Sequence, residues 1–184
     1  SWSFTLSQPA KFSSLALPQG MFANLEQMGY NDMTPIQAQA LPFVIEGRDV
    51  LAKAQTGSGK TAAFGIGLLT RLNQRNFGCQ ALVLCPTREL ATQVADEIRK
   101  IARYQQNIKI LTLCGGQSIG PQIGSLEHGA HIVVGTPGRI ADHIAKGTLD
   151  LNSINTVVLD EADRMLDMGF VDSITEIISH TPYD

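Results

Sequence analysis

Cysteine is scarce in this chain. Cys79, Cys85 and Cys114 form an odd set without paired metal-ligand spacing. Cys85 and Cys114 each close an apolar run and are expected to be reduced, buried strand residues. A catalytic thiol would need a base or a positive charge beside it, and the neighbouring sequence supplies neither. Long apolar runs are missing too. Ile132-Val133-Val134 and Thr156-Val157-Val158-Leu159 are of strand length, far too short to span a membrane. The opening Ser1-Trp2-Ser3-Phe4 lacks the charged region, apolar stretch and cleavage site of a signal peptide, so a cytoplasmic location is expected. Positive charge is also in deficit, with 14 Lys and Arg against 17 Asp and Glu, a net charge of −3 and a pI near 5.8. Bulk electrostatics alone therefore cannot grip nucleic acid; a few placed groups would have to, helped by another domain. His128, His131, His143 and His180 are scattered without metal spacing, and are expected at the surface or as satisfied core residues.

What the chain does have is 184 residues, 43% of them hydrophobic, enough for one domain with a real core. Short apolar runs at 49–54, 81–85, 108–113, 131–134 and 156–159 alternate with stretches of helical period. The latter are 61–73, 88–104, a poorer segment at 117–127, and 138–146. Within 88–104, Leu90, Val94, Ile98 and Ile101 share one face. The alternation predicts an α/β fold, a parallel sheet with helices on both faces. Right-handed crossovers would place every strand's C-terminal end along one edge, where ligands bind. Residues 1–20 lack periodicity and read as an extended lead-in. Short helices are expected at 21–28 and 35–44, the second capped by Thr34 with Pro35 in its first turn.

Ala54-Gln55-Thr56-Gly57-Ser58-Gly59-Lys60-Thr61 follows an expected strand and opens an expected helix, the setting a phosphate-binding P-loop needs. Its glycines let successive N–H groups converge on one anion, and the helix N-terminus adds its dipole. Lys60 is placed to reach the β- and γ-phosphates, and Thr61 to ligate Mg²⁺. Ala54 stands where the strict pattern has its first glycine. One hundred positions after Lys60, Asp160-Glu161-Ala162-Asp163 closes the strand 156–159. A carboxylate there is well placed to hold Mg²⁺ across from a phosphate loop, a role for Asp160. Glu161 is placed to orient and deprotonate the attacking water. A lone acidic cluster is more often a solvated helix start; paired with the phosphate loop it reads as a site.

Together these segments resemble motifs I and II of DEAD-box RNA helicases, and Arg164-Met165-Leu166-Asp167-Met168-Gly169-Phe170 is similar to the family's continuation. Gly29-Tyr30 with Thr34-Pro35-Ile36-Gln37 resembles the adenine-reading Q motif, with Phe12 seventeen positions before Gly29, where the family carries an aromatic. Pro86-Thr87-Arg88-Glu89-Leu90-Ala91, Gly115-Gly116 and Thr136-Pro137-Gly138-Arg139 resemble its RNA-contacting motifs. The resemblance runs from about Phe12 to the end and implies a RecA-like ATP-binding domain. It also implies ATP and Mg²⁺ as cofactors, and RNA and a second RecA-like domain as partners.

The residues support these roles physically. The Gln37 amide can accept from adenine N6–H and donate to N7, preferring A over G. Phe12 stacking adds affinity more than choice. Read without the resemblance, Gln37 is an exposed helix amide and Phe12 a core anchor. Thr87, Thr136 and Arg139 lie just past strands, and Gly116 and Gly138 leave backbone N–H groups accessible. Such groups, with Pro86 and Arg88, would meet phosphates and sugars rather than base edges. The lesser alternative for Arg88 and Arg139 is an ordinary helix-start residue or salt-bridge partner, since a cation opposes the dipole there and wants another reason to be present.

By the same resemblance, a Ser-Ala-Thr motif is expected soon after Tyr183, and the second RecA-like domain with its arginine finger is absent. The chain is therefore expected to be a monomeric first half of a motor, binding nucleotide and RNA while scarcely turning over ATP. Residues 81–91 with 108–117 are similar to the bacterial DbpA-type branch, which implies a role in ribosome assembly. Two rivals stand: a small-molecule phosphotransferase, which leaves Gln37 and the Thr136–Arg139 turn without jobs, and a non-catalytic RNA-binding module, against which Lys60, Thr61, Asp160 and Glu161 count.

Overall fold

The computed structural model describes residues 10–11, 32–33, 50–54 and 60–182. A short antiparallel pair, β1 (Ala10–Lys11) and β2 (Asp32–Met33), sets Ala10 opposite Met33 and Lys11 opposite Asp32. Five parallel strands follow: β3 (Val50–Ala54), β4 (Ala81–Leu84), β5 (Ile110–Leu113), β6 (Ile132–Gly135) and β7 (Thr156–Asp160). Their order across the sheet is β3-β7-β4-β6-β5. The helices are α1 (Lys60–Thr70), α2 (Arg88–Ile101), α3 (Ile119–Glu127), α4 (Pro137–Ala145), α5 (Ala162–Asp167) and α6 (Val171–Ser179).

Strand order and handedness together decide the layers. The steps β3 to β4 and β4 to β5 run toward one edge, and β5 to β6 and β6 to β7 run back. Right-handed crossovers then put α1 and α2 on one face and α3 and α4 on the other. The core divides accordingly. Ala81 and Val83 pack with Ile66 and Leu69 of α1 and Val94, Ile98 and Ile101 of α2. Their neighbours Leu82 and Leu84 point through the pleat to Ile140 of α4, Met165 of α5, and Ile174 and Ile177 of α6. Leu90, expected on the buried face of α2, is partly buried against the first cluster.

Each expected strand is present with its ends moved by at most two residues. The helix expected over 61–73 stops at Thr70, and that over 88–104 finishes as a 3₁₀ turn, Ala102–Tyr104. The poor segment 117–127 does form a helix, but its buried side chain is a polar one, Gln122. The expected short helices at 21–28 and 35–44 lie outside the described residues. Among the described residues no helix is long and apolar enough to cross a membrane. His131 is a satisfied core residue: its Nδ1 accepts from the Lys109 N–H at 2.9 Å, and its Nε2 lies 2.8 Å from the Gln74 carbonyl, so one neutral tautomer serves both. His128 and His180 are exposed.

Candidate functional site

All five strands point the same way, so the segments that follow them share one edge of the sheet. The strand order arranges these segments in sequence along it. First comes the stretch after β3, then Asp160-Glu161 after β7, Pro86-Thr87-Arg88 after β4, Thr136 to Arg139 after β6, and Cys114 to Gln117 after β5. The acidic pair therefore borders the end of β3, and the three loops carrying Thr87, Thr136 and Gly116 lie side by side beyond it.

Asp160 is the last residue of β7 and pairs in register with Ala54, the last residue of β3. Its carboxylate is buried at 5% exposure. Glu161 must carry the chain from strand to helix in one residue, and it does so in the left-handed region, at φ 54° and ψ 50°. That conformation is costly for a residue with a Cβ, and such strain gathers at functional positions. The Glu161 carboxylate is mostly buried, and its Oε2 lies 3.7 Å from Arg164 Nη1. Thr61 is half-buried in the first turn of α1, where Lys60 begins the helix. Phe12, Gln37 and the loop residues Gln55, Thr56, Gly57, Ser58 and Gly59 lie outside the described residues. The pairing of β1 with β2 nonetheless brings Lys11, the neighbour of Phe12, beside Asp32, a few positions before Gln37.

At the other end of the edge, side chains tie the loops after β5 and β6 together, with the loop after β4 beside them. Pro86 is buried, leaving Thr87 half-buried and Arg88 exposed. Thr87 caps α2, its Oγ1 accepting from the Leu90 N–H at 3.2 Å. The Thr136 hydroxyl caps nothing in α4; it accepts from the Gly115 N–H at 3.1 Å, while the Thr136 N–H donates to the Leu113 carbonyl at 3.2 Å. Each threonine thus has a backbone N–H on a lone pair and keeps its O–H proton to donate elsewhere. Gly116 turns at φ +80°, a conformation suited to glycine, and a Cβ there would sit 3.7 Å from Arg88 Nη1. Gly138 is half-buried in the first turn of α4, with open space where a Cβ would stand.

Arg139 reaches across between two loops. Its Nη1 donates to the Gln117 carbonyl at 2.8 Å and to Gln122 Oε1 at 3.1 Å, and its Nε lies 3.7 Å from Asp142. The salt-bridge reading of Arg139 is thus partly right, and the same side chain also anchors the β5 loop. Gln122 completes the link by donating from Nε2 to the Cys114 carbonyl at 3.1 Å, and its Oε1 lies 2.8 Å from His143 Nε2. Nothing in the sequence marks Gln122 or His143. One is a polar residue in the poorest of the expected helices, and the other is a lone histidine.

The thiols are free and buried, one residue past β4 and β5 for Cys85 and Cys114. One expectation is corrected: Cys114 does have cations nearby, Arg88 and Arg139. They pull its pKa down, yet burial outweighs them and the net shift is upward. Burial also raises Cys85, with the Asp160, Cys114 and Glu161 charges adding to it, and pushes Cys79 up to about 12. No nucleophilic thiol results.

Comparison with known proteins matches residues 34–184 to the DEAD/DEAH box helicase family. The chain is 58% identical over 172 residues to the ATP-dependent RNA helicase DbpA of Escherichia coli, covering 93% of this chain and 38% of that protein. It is 50% identical over 171 residues to the DEAD-box ATP-dependent RNA helicase CshA of Geobacillus kaustophilus, covering 93% of this chain and 36% of that one. Among solved structures, a DEAD box protein from the hyperthermophile Methanococcus jannaschii superposes with a TM-score of 0.85 at 42% identity, over 93% of this chain and 47% of that one. The chain thus spans less than half the length of these relatives.

Proposed function

We propose, for a chain that belongs to the DEAD/DEAH box helicase family, that it is the ATP-binding half of an ATP-dependent RNA helicase, with one sheet edge divided between nucleotide and RNA. The observation that carries this reading is the strand order, which sets Asp160 in register with Ala54 at the end of β3, with Glu161 one residue on, and groups Thr87, Gly116 and Thr136 beyond them.

On this reading Ala54, Gln55, Thr56, Gly57, Ser58 and Gly59 curl around the phosphates, Lys60 meets the β- and γ-phosphates, and Phe12 and Gln37 take the adenine. The buried Asp160 carboxylate and the Thr61 hydroxyl are hard oxygen donors that suit Mg²⁺, a cation that keeps its waters and needs few protein ligands. Among the described residues no cluster of three or more His, Cys, Asp or Glu offers a fuller cage. Bound Mg²⁺ would withdraw charge from the phosphate oxygens. Glu161 takes the proton of the attacking water as the new P–O bond forms and the β–γ bridge bond breaks.

RNA lies along the other end of the edge as a sugar–phosphate backbone. Thr87 and Thr136 donate their O–H protons, Gly116 and Gly138 offer N–H groups, Arg88 and Arg139 supply charge, and Pro86 fixes the start of α2. None of these groups reads a base, so binding is indifferent to sequence. The remainder of the full-length protein supplies a second RecA-like domain and an arginine finger, worth roughly 10³–10⁵ in rate. A role in ribosome assembly rests on the DbpA likeness alone, and a cytoplasmic location on the sequence expectation alone.

The test is ATP turnover by the chain alone and with the rest of the full-length protein added in trans, each with and without RNA. The account expects near-background turnover alone and RNA-stimulated turnover with both halves, lost in Glu161→Gln. Duplex separation by the chain alone, or full turnover in Glu161→Gln, would contradict it.

A further inference from the structure

We infer that Gln122 is a positioning residue for the RNA-facing edge: its buried amide joins the loops after β5 and β6 and sets Arg139 at a fixed place between them. The inference rests on the RNA reading of that edge and adds to it a residue that contacts no ligand.

Three observations carry it. Helix α3 leaves its apolar residues Ile119, Ile123 and Leu126 only partly buried, and Gln122 is the side chain it buries. A polar side chain at 8% exposure is costly unless its hydrogen bonds are made, and this one has partners at both ends. Its Nε2 donates to the Cys114 carbonyl at 3.1 Å, and its Oε1 accepts from Arg139 Nη1 at 3.1 Å.

The partners also fix which way the amide points. A flipped amide would turn oxygen toward the Cys114 carbonyl and nitrogen toward the guanidinium, opposing like with like at both ends. With Oε1 so placed, His143 must carry its proton on Nε2 to donate across the 2.8 Å gap. Nδ1 of the neutral ring is then left as an acceptor, and the single Thr148 hydroxyl proton serves either it, 2.8 Å away, or the His143 carbonyl at 3.1 Å. One amide therefore holds the carbonyl before Gly115-Gly116, the cation in the first turn of α4 and the tautomer of a buried imidazole. Thr136 braces the same two loops from the surface by accepting from the Gly115 N–H.

The experiment compares the parent chain with Gln122→Leu, Arg139→Ala and the double variant. Amide exchange at Gly115 is measured without ligand, affinity for a fluorescein-labelled oligouridylate by anisotropy, and affinity for Mg-ADP as the control on the distant end of the edge. The expected result for Gln122→Leu is exchange at Gly115 faster by about tenfold or more and RNA affinity lower by about tenfold, with ADP affinity within about twofold of the parent. Adding Gln122→Leu to Arg139→Ala should lose less than it loses alone, because the two act through one contact. A purely structural role would instead multiply the losses and weaken ADP binding as well. Should Gln122→Leu fail to fold, Gln122→Met keeps the length and is held to the same criteria. Unchanged exchange at Gly115, or unchanged RNA affinity in a parent that binds RNA, overturns the inference. A parent that binds no RNA sinks the functional reading instead, and the exchange arm still decides whether Gln122 orders the loops.

Discussion

Glu161 concentrates a conflict in one residue. The strand-to-helix turn wants a residue that tolerates positive φ, while the chemistry wants a carboxylate, and the carboxylate is what the chain has there. Replacing it tests the strain directly. Glu161→Gly should be more stable than Glu161→Ala by about 1 kcal/mol, since alanine keeps the left-handed cost and glycine does not. Urea unfolding of the two variants measures the difference, and equal midpoints would mean that the turn is unstrained. His143 makes a second prediction. Burial lowers its pKa from the ordinary value of 6.5, the nearby Arg139 and Lys146 charges act the same way, and Asp142 opposes them. A folded pKa below the unfolded one favours the fold above pH 6.5, and that contribution is lost as pH falls from there toward the folded value. Stability measured downward from pH 6.5 should therefore drop less steeply in His143→Gln than in the parent. Parallel profiles would remove His143 from the account of acid sensitivity.

Among the elements, β6 ends under the tightest constraint. A Cβ on Gly135 would collide with the Leu113 carbonyl and stand 2.7 Å from Ile140 Cδ1. Backbone cannot yield there, because that same carbonyl accepts from the Thr136 N–H. Gly135→Ala should cost about 1–3 kcal/mol in urea unfolding, and a cost below about 0.5 kcal/mol would show that the sheet edge can shift. The need for glycine at this point was not legible in the sequence, because it comes from the approach of β5 and α4, two elements brought together only by the fold. The strands themselves were legible, since runs such as Ala81 to Leu84 are buried on both faces and keep no polar alternation. Helix α2 showed its face through Val94, Ile98 and Ile101. Helix α3 showed its face poorly, since Gly120, Pro121 and Gly124 interrupt Ile119, Ile123 and Leu126, and the position it buries most, Gln122, is polar. Helices α5 and α6 were not assigned from the sequence, although Met165, Ile174 and Ile177 bury against the second core cluster. The 3₁₀ turn after α2 fell within the expected helix because one continuous apolar pattern covers both.

At the scale of the molecule, motif spacing says which residues matter, and strand order says how they are grouped. Lys60 and Asp160 lie one hundred positions apart in sequence, yet β3 and β7 are neighbours in register. The segments read as RNA-contacting come from three different crossovers and share one end of the edge. No local pattern contains that grouping; it follows from the direction and order of the five strands. On the proposed reading, a few oriented groups gathered by topology would replace a general positive field and let a chain of net charge −3 meet RNA. The account centres on nucleotide held at one end of this edge and read as adenine. Calorimetric titration of the chain with ADP and with GDP, both in Mg²⁺, tests that most directly. The account predicts that ADP binds, that GDP binds about tenfold more weakly or worse, and that Gln37→Ala erases the difference. Equal affinity for the two nucleotides, or binding of neither, would contradict it.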